Sequence, residues 1–190
     1  MIVDNVRIYG MENAVRASGF PMQKSDYSEE RAVRLGNCRP GTGHDCFLKG
    51  ILVTTDITAP QYWWMQWLRY HFHDIVSSES KMHRITKMNI KEQCNGYVWL
   101  STIKELIRAV EIYNQCEDLE VKQDIFQEII SNVPMGLRLK AGVVTSYLQL
   151  KSIYLQRRHH KLKEWQAFCD WIEDLPKFKE FVLNRGKSVG

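Results

Sequence analysis

The segment Ile2-Val3-Asp4-Asn5-Val6-Arg7-Ile8-Tyr9 is rich in β-branched and aromatic side chains and ends at Gly10, which predicts an opening strand. Met11 to Ser18 reads as a short helix stopped by Gly19 and Pro21. Asp26 to Leu35 reads as a second helix, with Ser25 and Ser28 as N-cap candidates. Two Gly and one Pro between Asn37 and Gly43 mark a loop. An extended run from Phe47 to Ile57 follows. Within it Ile51 to Thr58 alternates as a strand with one buried face does, until Ala59-Pro60 breaks the pattern. Pro60 suits the first turn of a helix, and from Gln61 the aromatics Tyr62, Trp63, Trp64, Trp67 and Tyr70 encircle that helix, so it is largely buried. A polar segment rich in His and Ser then returns to an extended pattern. After a turn at Asn95-Gly96, the residues Leu100, Ile103, Leu106, Ile107, Val110 and Tyr113 fall at helical spacing within Val98 to Gln115, with Ser101 or Thr102 as cap. Leu119 to Ser131 forms another amphipathic helix, with Val121, Ile125, Phe126, Ile129 and Ile130 inward. The expected fold is a single α/β (α+β) domain over residues 1–190, with a mixed or antiparallel sheet flanked by several helices.

Composition narrows this only a little. A chain of 190 residues suits one domain that buries about two-thirds of its unfolded surface. Its 44% apolar and 25% charged residues are those of a soluble globular protein and argue against disorder. The net charge of +4, with acidic residues spread through the chain, neither demands nor excludes nucleic acid. The five Cys form no C-x-x-C pair and follow no secretory apolar region, so reduced thiols in the cytoplasm are expected. No apolar run approaches the roughly 18 residues of a membrane span.

Unusual chemistry is concentrated between Gly41 and Arg84, which holds three of the six Trp and four of the six His. For the tryptophans the expectation is packing, with a stacking platform for a flavin ring or a base as the alternative. His71 and His73 share a face only in an extended segment, and no further ligands for a zinc site are evident. Ser77, Ser78 and Ser80 become nucleophiles only with a general base in reach. His83 is near them in sequence, but a solvated polar loop is the default reading. Arg157, Arg158, His159, His160, Lys161 and Lys163 fill six of seven consecutive positions with basic side chains. Such a cluster suits a phosphate, or alternatively an exposed helix end favoured by the helix dipole.

The region Gly41 to Arg84 resembles the signature region of the flavin-dependent thymidylate synthases. That family runs a Gly-His pair in a loop, a strand, a helix with an aromatic Gln-Trp turn, and then R-H-R-x-x-S-x-N-E-x-S-x-R-Y. Gly43-His44 stands for the pair, Gln66-Trp67 for the turn, and Arg69 to Arg84 for the motif. Order and spacing agree, while the motif residues depart. With His71-Phe72-His73 laid on R-H-R, Glu79 meets the motif's Glu, Val76 stands at its Ser, and His83-Arg84 replaces the closing Arg-Tyr. With Arg69 as the first Arg, the Glu is lost and Asp74 takes the Ser position. Gly50 stands where the family has a second loop His. Asn132 to Trp171 resembles the family's C-terminal half, with Pro134-Met135 at a turn, Ala141 to Tyr147 at a strand and helix entry, Tyr154 to Arg158 at a helix end and Glu164-Trp165 in the next helix. Aligned on Trp165, Arg158 meets an Arg that contacts deoxyuridylate, and Gln149 replaces the Arg of N-A-R-S.

The resemblance implies flavin contacts from His44, His71, His73, Glu79 and His83, and nucleotide or phosphate contacts from Arg84, Arg157, Arg158 and Lys161. It also implies a homo-oligomer, dimer or tetramer, with sites shared between subunits. Each lost charge-assisted contact weakens binding by about 1.5 to 3 kcal/mol, so several together lower affinity by orders of magnitude. The expectation is therefore a non-catalytic or altered protein with no cofactor. The pattern Ile57-Thr58-Ala59-Pro60, Tyr62-Trp63-Trp64 and Ser80, Met82-His83-Arg84 resembles phage or prophage proteins, which implies a protein of phage or mobile-element type in the cytoplasm of a bacterial host. It would bind a host component, the candidate role being an anti-CRISPR inhibitor of an RNA-guided nuclease, or nucleic acid. The alternative is a flavin-dependent thymidylate synthase that methylates deoxyuridylate, with FAD as cofactor.

Overall fold

The computed structural model describes residues 1–184. In chain order its elements are β1 (Ile2–Tyr9), α1 (Met11–Ala17), α2 (Glu29–Gly36), β2 (Leu52–Pro60), α3 (Gln61–Trp67), β3 (Asp74–Ser78), α4 (Lys81–Arg84), α5 (Ile90–Gln93), α6 (Leu100–Gln115), α7 (Leu119–Ser131), β4 (Arg138–Ser146), α8 (Tyr147–Arg157) and α9 (Lys163–Glu173), followed by a π-helical turn at Lys179–Leu183. The four strands form one antiparallel sheet in the order β1-β2-β4-β3.

Three of the strands run into helices almost without a loop. Gly10, at φ 76°, turns β1 into α1, a left-handed conformation that glycine adopts freely. Pro60 caps α3 directly at the end of β2, and Ser146 caps α8 at the end of β4, its hydroxyl accepting from the Gln149 amide at 3.4 Å.

Alternation along the strands gives the sheet one covered face. Val53, Ile57, Ala59, Ala141 and Val143 are buried on it, against α3, α8 and α9. The other face is polar, with Lys140 Nζ 3.2 Å from both Asp4 and Asp56. The main core gathers Trp63, Trp67, Trp165 and Phe168, whose rings meet at centroid distances of 4.7 to 6.4 Å. A second cluster, around Ile85, Ile103, Leu106, Ile129 and Leu137, lies beneath α6 and α7.

Several local expectations are corrected. Cys46–Gly50 is a 3₁₀ turn, so the strand begins at Leu52. The turn places Leu48 and Ile51, three residues apart, on one inward side, and both are fully buried. Pro60 does not break β2: the last β1 partner is Thr58, so the strand is an edge by Pro60, where a proline is tolerated. Ser101 and Thr102 do not cap α6, which starts at Leu100 with Trp99 in the cap position and no side-chain cap. Leu100 and Val121 are exposed rather than inward. Among the described residues no helix is long and apolar enough to cross a membrane.

Candidate functional site

A cavity of about 1000 Å³ opens where four pieces of chain converge: the loop from Pro40 to Lys49, the loop from Arg69 to Asp74, the end of β4, and the first turns of α8. The junction between β4 and α8 forms one of its walls. Because Ser146 ends the strand and caps the helix, Leu148 and Gln149 face the cavity at the helix N-terminus, where unpaired amides favour negative charge.

The loop wall is anchored by Lys151. Its ammonium is 1% exposed and donates to Gly36 O at 2.7 Å, Cys38 O at 2.9 Å and Asp45 Oδ2 at 2.6 Å, which uses all three donors. Asp45 is thereby neutralised inside the wall. The remaining cations at the cavity are Lys49, Arg69 and Arg157, with exposed His71 beside them and Asp74 opposing. Arg157 is half-buried. Its guanidinium lies 4.9 Å from the Trp165 ring centroid and 5.7 Å from that of Tyr70, and its Nε donates to the Tyr70 hydroxyl at 2.8 Å. This stacking fixes both the charge and the Tyr70 ring at the wall.

His71, His73 and Arg157 are the predicted site residues that line this cavity. Both ring nitrogens of His73 are occupied within the protein. Nδ1 accepts from the Trp67 indole at 3.1 Å, so Nε2 carries the proton and donates to Trp67 O at 3.1 Å. Burial lowers its pKa below the ordinary 6.5, which agrees with this neutral tautomer.

The structure places the other predicted residues elsewhere. His44 is exposed in the loop, between Gly43 and Asp45, which do line the cavity. Glu79 pairs with Arg84, and its other oxygen accepts from Lys140 N at 2.9 Å and Gln93 Nε2 at 3.4 Å, tying α4 and α5 to β4. His83 is exposed on α4. Arg158 faces Asp170 at 2.5 Å and Glu173 at 3.5 Å, and Lys161 is exposed beyond the helix end. The basic cluster is thus divided, and Arg157 is its member at the cavity. Among the described residues no group of three or more His, Cys, Asp or Glu is arranged to hold a metal ion. The tryptophans serve as core: Trp63 and Trp67 are fully buried and Trp64 nearly so.

No protein-family model matches the sequence, and no curated protein matches it significantly. Solved structures do match. The flavin-dependent thymidylate synthase ThyX from Helicobacter pylori, in a crystal structure with FAD and dUMP, superimposes with a TM-score of 0.73 at 14% identity, over 97% of this chain and 98% of that one. A second structure of the same enzyme with FAD and dUMP gives the same values. The chain has a flavin-dependent thymidylate synthase-like fold. The comparison gives no support to a phage origin, an anti-CRISPR role or a host-nuclease partner.

Lys151 and Asp45 escaped the sequence reading. The available signal was a lysine in an apolar stripe, since Tyr147, Leu150, Lys151 and Tyr154 follow the i, i+3, i+4, i+7 spacing of a buried helix face.

Proposed function

We propose that this chain binds a phosphate-bearing nucleotide in the cavity beside α8, on a thymidylate synthase-like scaffold whose catalytic chemistry is altered or absent. The cavity itself carries the reading. Its volume of about 1000 Å³ suits a nucleotide, its Lys49, Arg69 and Arg157 suit phosphate, and the N-terminus of α8 adds a favourable dipole. The altered chemistry is supported by Glu79 and Arg158, two motif-matched residues whose charged groups are engaged by other side chains away from the cavity.

A flavin nucleotide fits this donor set, with Lys49, Arg69 and Arg157 for its phosphates and Tyr70 for a ring face. When bound, it would supply hydride chemistry. Thymidylate synthesis is the second reading, favoured by the FAD and dUMP held by the Helicobacter pylori enzyme. The resemblance also carries a homo-oligomer, which sedimentation velocity tests.

The deciding experiment is the visible absorption spectrum of protein purified without added cofactor, repeated after incubation with FAD and then deoxyuridylate. Uptake of flavin establishes the nucleotide site, and a further shift with deoxyuridylate favours the enzyme. If neither compound binds, by absorption or by calorimetry, the proposed nucleotide site is refuted.

A further inference from the structure

Gln149 is 5% exposed, yet its side-chain amide makes no hydrogen bond to any described residue. Among the described residues its amide is not one of the sealed polar atoms that lack a partner, so the Gln149 amide keeps some exposure to open space. That space is the cavity, which Gln149 lines from the first turn of α8. A buried amide with one donor group and one acceptor group requires partners, and here the partners must come from whatever occupies the cavity.

The surroundings narrow the chemistry. The cations that suit phosphate stand at Lys49, Arg69 and Arg157, on the two loops and at the far end of α8. Around Gln149 in the chain, Val144, Thr145, Ser146 and Leu148 are neutral, the Lys151–Asp45 pair cancels its own charge, and Asp74, opposite Val144 in the sheet, disfavours a second anion. A carboxamide among neutral groups matches an uncharged planar edge better than a second anion. Its in-plane donor and acceptor pair with a ring that carries C=O and N–H side by side.

We propose that Gln149 is a specificity-determining residue that reads the –CO–NH– edge of a planar heterocycle, as on a uracil or isoalloxazine ring, while the cations hold the phosphate. This rests on the nucleotide-site reading above.

The test compares deoxyuridylate and flavin mononucleotide with their N3-methyl derivatives, which lose the ring N–H, and with deoxyribose 5-phosphate, which lacks the ring. Binding is measured by calorimetry to the wild-type chain and to Gln149→Leu, with circular dichroism to confirm folding. In the wild type, N3-methylation of the bound nucleotide weakens binding about tenfold or more, because a buried hydrogen bond is lost and the amide left unpaired. In Gln149→Leu the parent nucleotide weakens by a similar factor, the methyl derivative binds as well as its parent, and deoxyribose 5-phosphate is unaffected. If the wild type binds parent and methyl derivative equally, or if Gln149→Leu keeps the tenfold preference, the edge-reading role is overturned while the nucleotide site stands. If the wild type binds none of the compounds, the nucleotide site falls and the role of Gln149 falls with it. Should Gln149→Leu fail to fold, Gln149→Met, of closely similar length, carries the same comparison.

Discussion

Replacing Lys151 with Met removes a buried charge while keeping the length and much of the volume of the side chain. Three acceptors then lose their donor: Gly36 O, Cys38 O and Asp45 Oδ2, formerly 2.7, 2.9 and 2.6 Å from the ammonium. The Asp45 side chain is 4% exposed, so its carboxylate is left buried without a counter-charge. Breaking a buried pair in this way costs about 3 to 5 kcal/mol. In a chain of this size each kcal/mol lowers the midpoint of thermal unfolding by about 2 to 4 °C, so Lys151→Met lowers it by about 6 to 20 °C. The informative assay is a double-mutant cycle by chemical denaturation, with Lys151→Met, Asp45→Asn and the double variant. In the double variant the carboxamide that replaces the carboxylate carries no charge and can donate to a nearby carbonyl, so this variant is more stable than the sum of the singles implies, by about 2 kcal/mol or more. Single substitutions that each cost under about 1 kcal/mol, or effects that simply add, would refute the assignment of Lys151 as the anchor of the loop wall.

His73 has a folded-state pKa below its ordinary 6.5 because of burial, so the unfolded chain takes up its proton first as pH falls. Stability is therefore complete above about 6.5 and declines as pH falls from there toward the depressed value; denaturation midpoints at pH 7.5 and 5.5 check this, and His73→Gln flattens the difference. Arg157→Ala weakens nucleotide binding about tenfold or more, whereas Arg158→Ala, whose partners Asp170 and Glu173 lie away from the cavity, leaves it unchanged in a calorimetric titration. Glu79→Ala costs about 1 to 3 kcal/mol of stability, because Lys140 N and Gln93 lose an acceptor, but does not alter ligand affinity. Equal loss of affinity in Arg158→Ala and Arg157→Ala would contradict the division of the basic cluster.

The parts of this structure that were legible are those where local composition or one period dominates: β-branched and aromatic residues closed by Gly10 for the first strand, and helical spacing for α7. The β1 and α7 segments, Ile2–Tyr9 and Leu119–Ser131, coincide with the residues whose side chains demand them. The Phe47–Gly50 segment misled because consecutive apolar residues read equally well as a strand or as a turn with Leu48 and Ile51 inward. The basic cluster could not be divided from the sequence. Arg157 and Arg158 are adjacent at the end of α8 and differ by about 100° in direction, and which of them meets the cavity depends on the packing of Trp165 and Tyr70 around a single guanidinium. Lys151 was hidden for a different reason. A lysine looks like a surface residue unless its three acceptors are known, and two of those are carbonyls more than a hundred positions away.

The direct passage from β4 into α8 ties two periodicities together. Deleting one residue from β4 would turn every side chain after it to the opposite face of the sheet and rotate the helix by about 100° about its axis. Gln149 and Lys151 would then be carried away from the cavity and the loop at once. Length changes in this segment cannot be absorbed locally, so variation here is confined to substitutions, and insertions belong in exposed connections such as the one between α1 and α2.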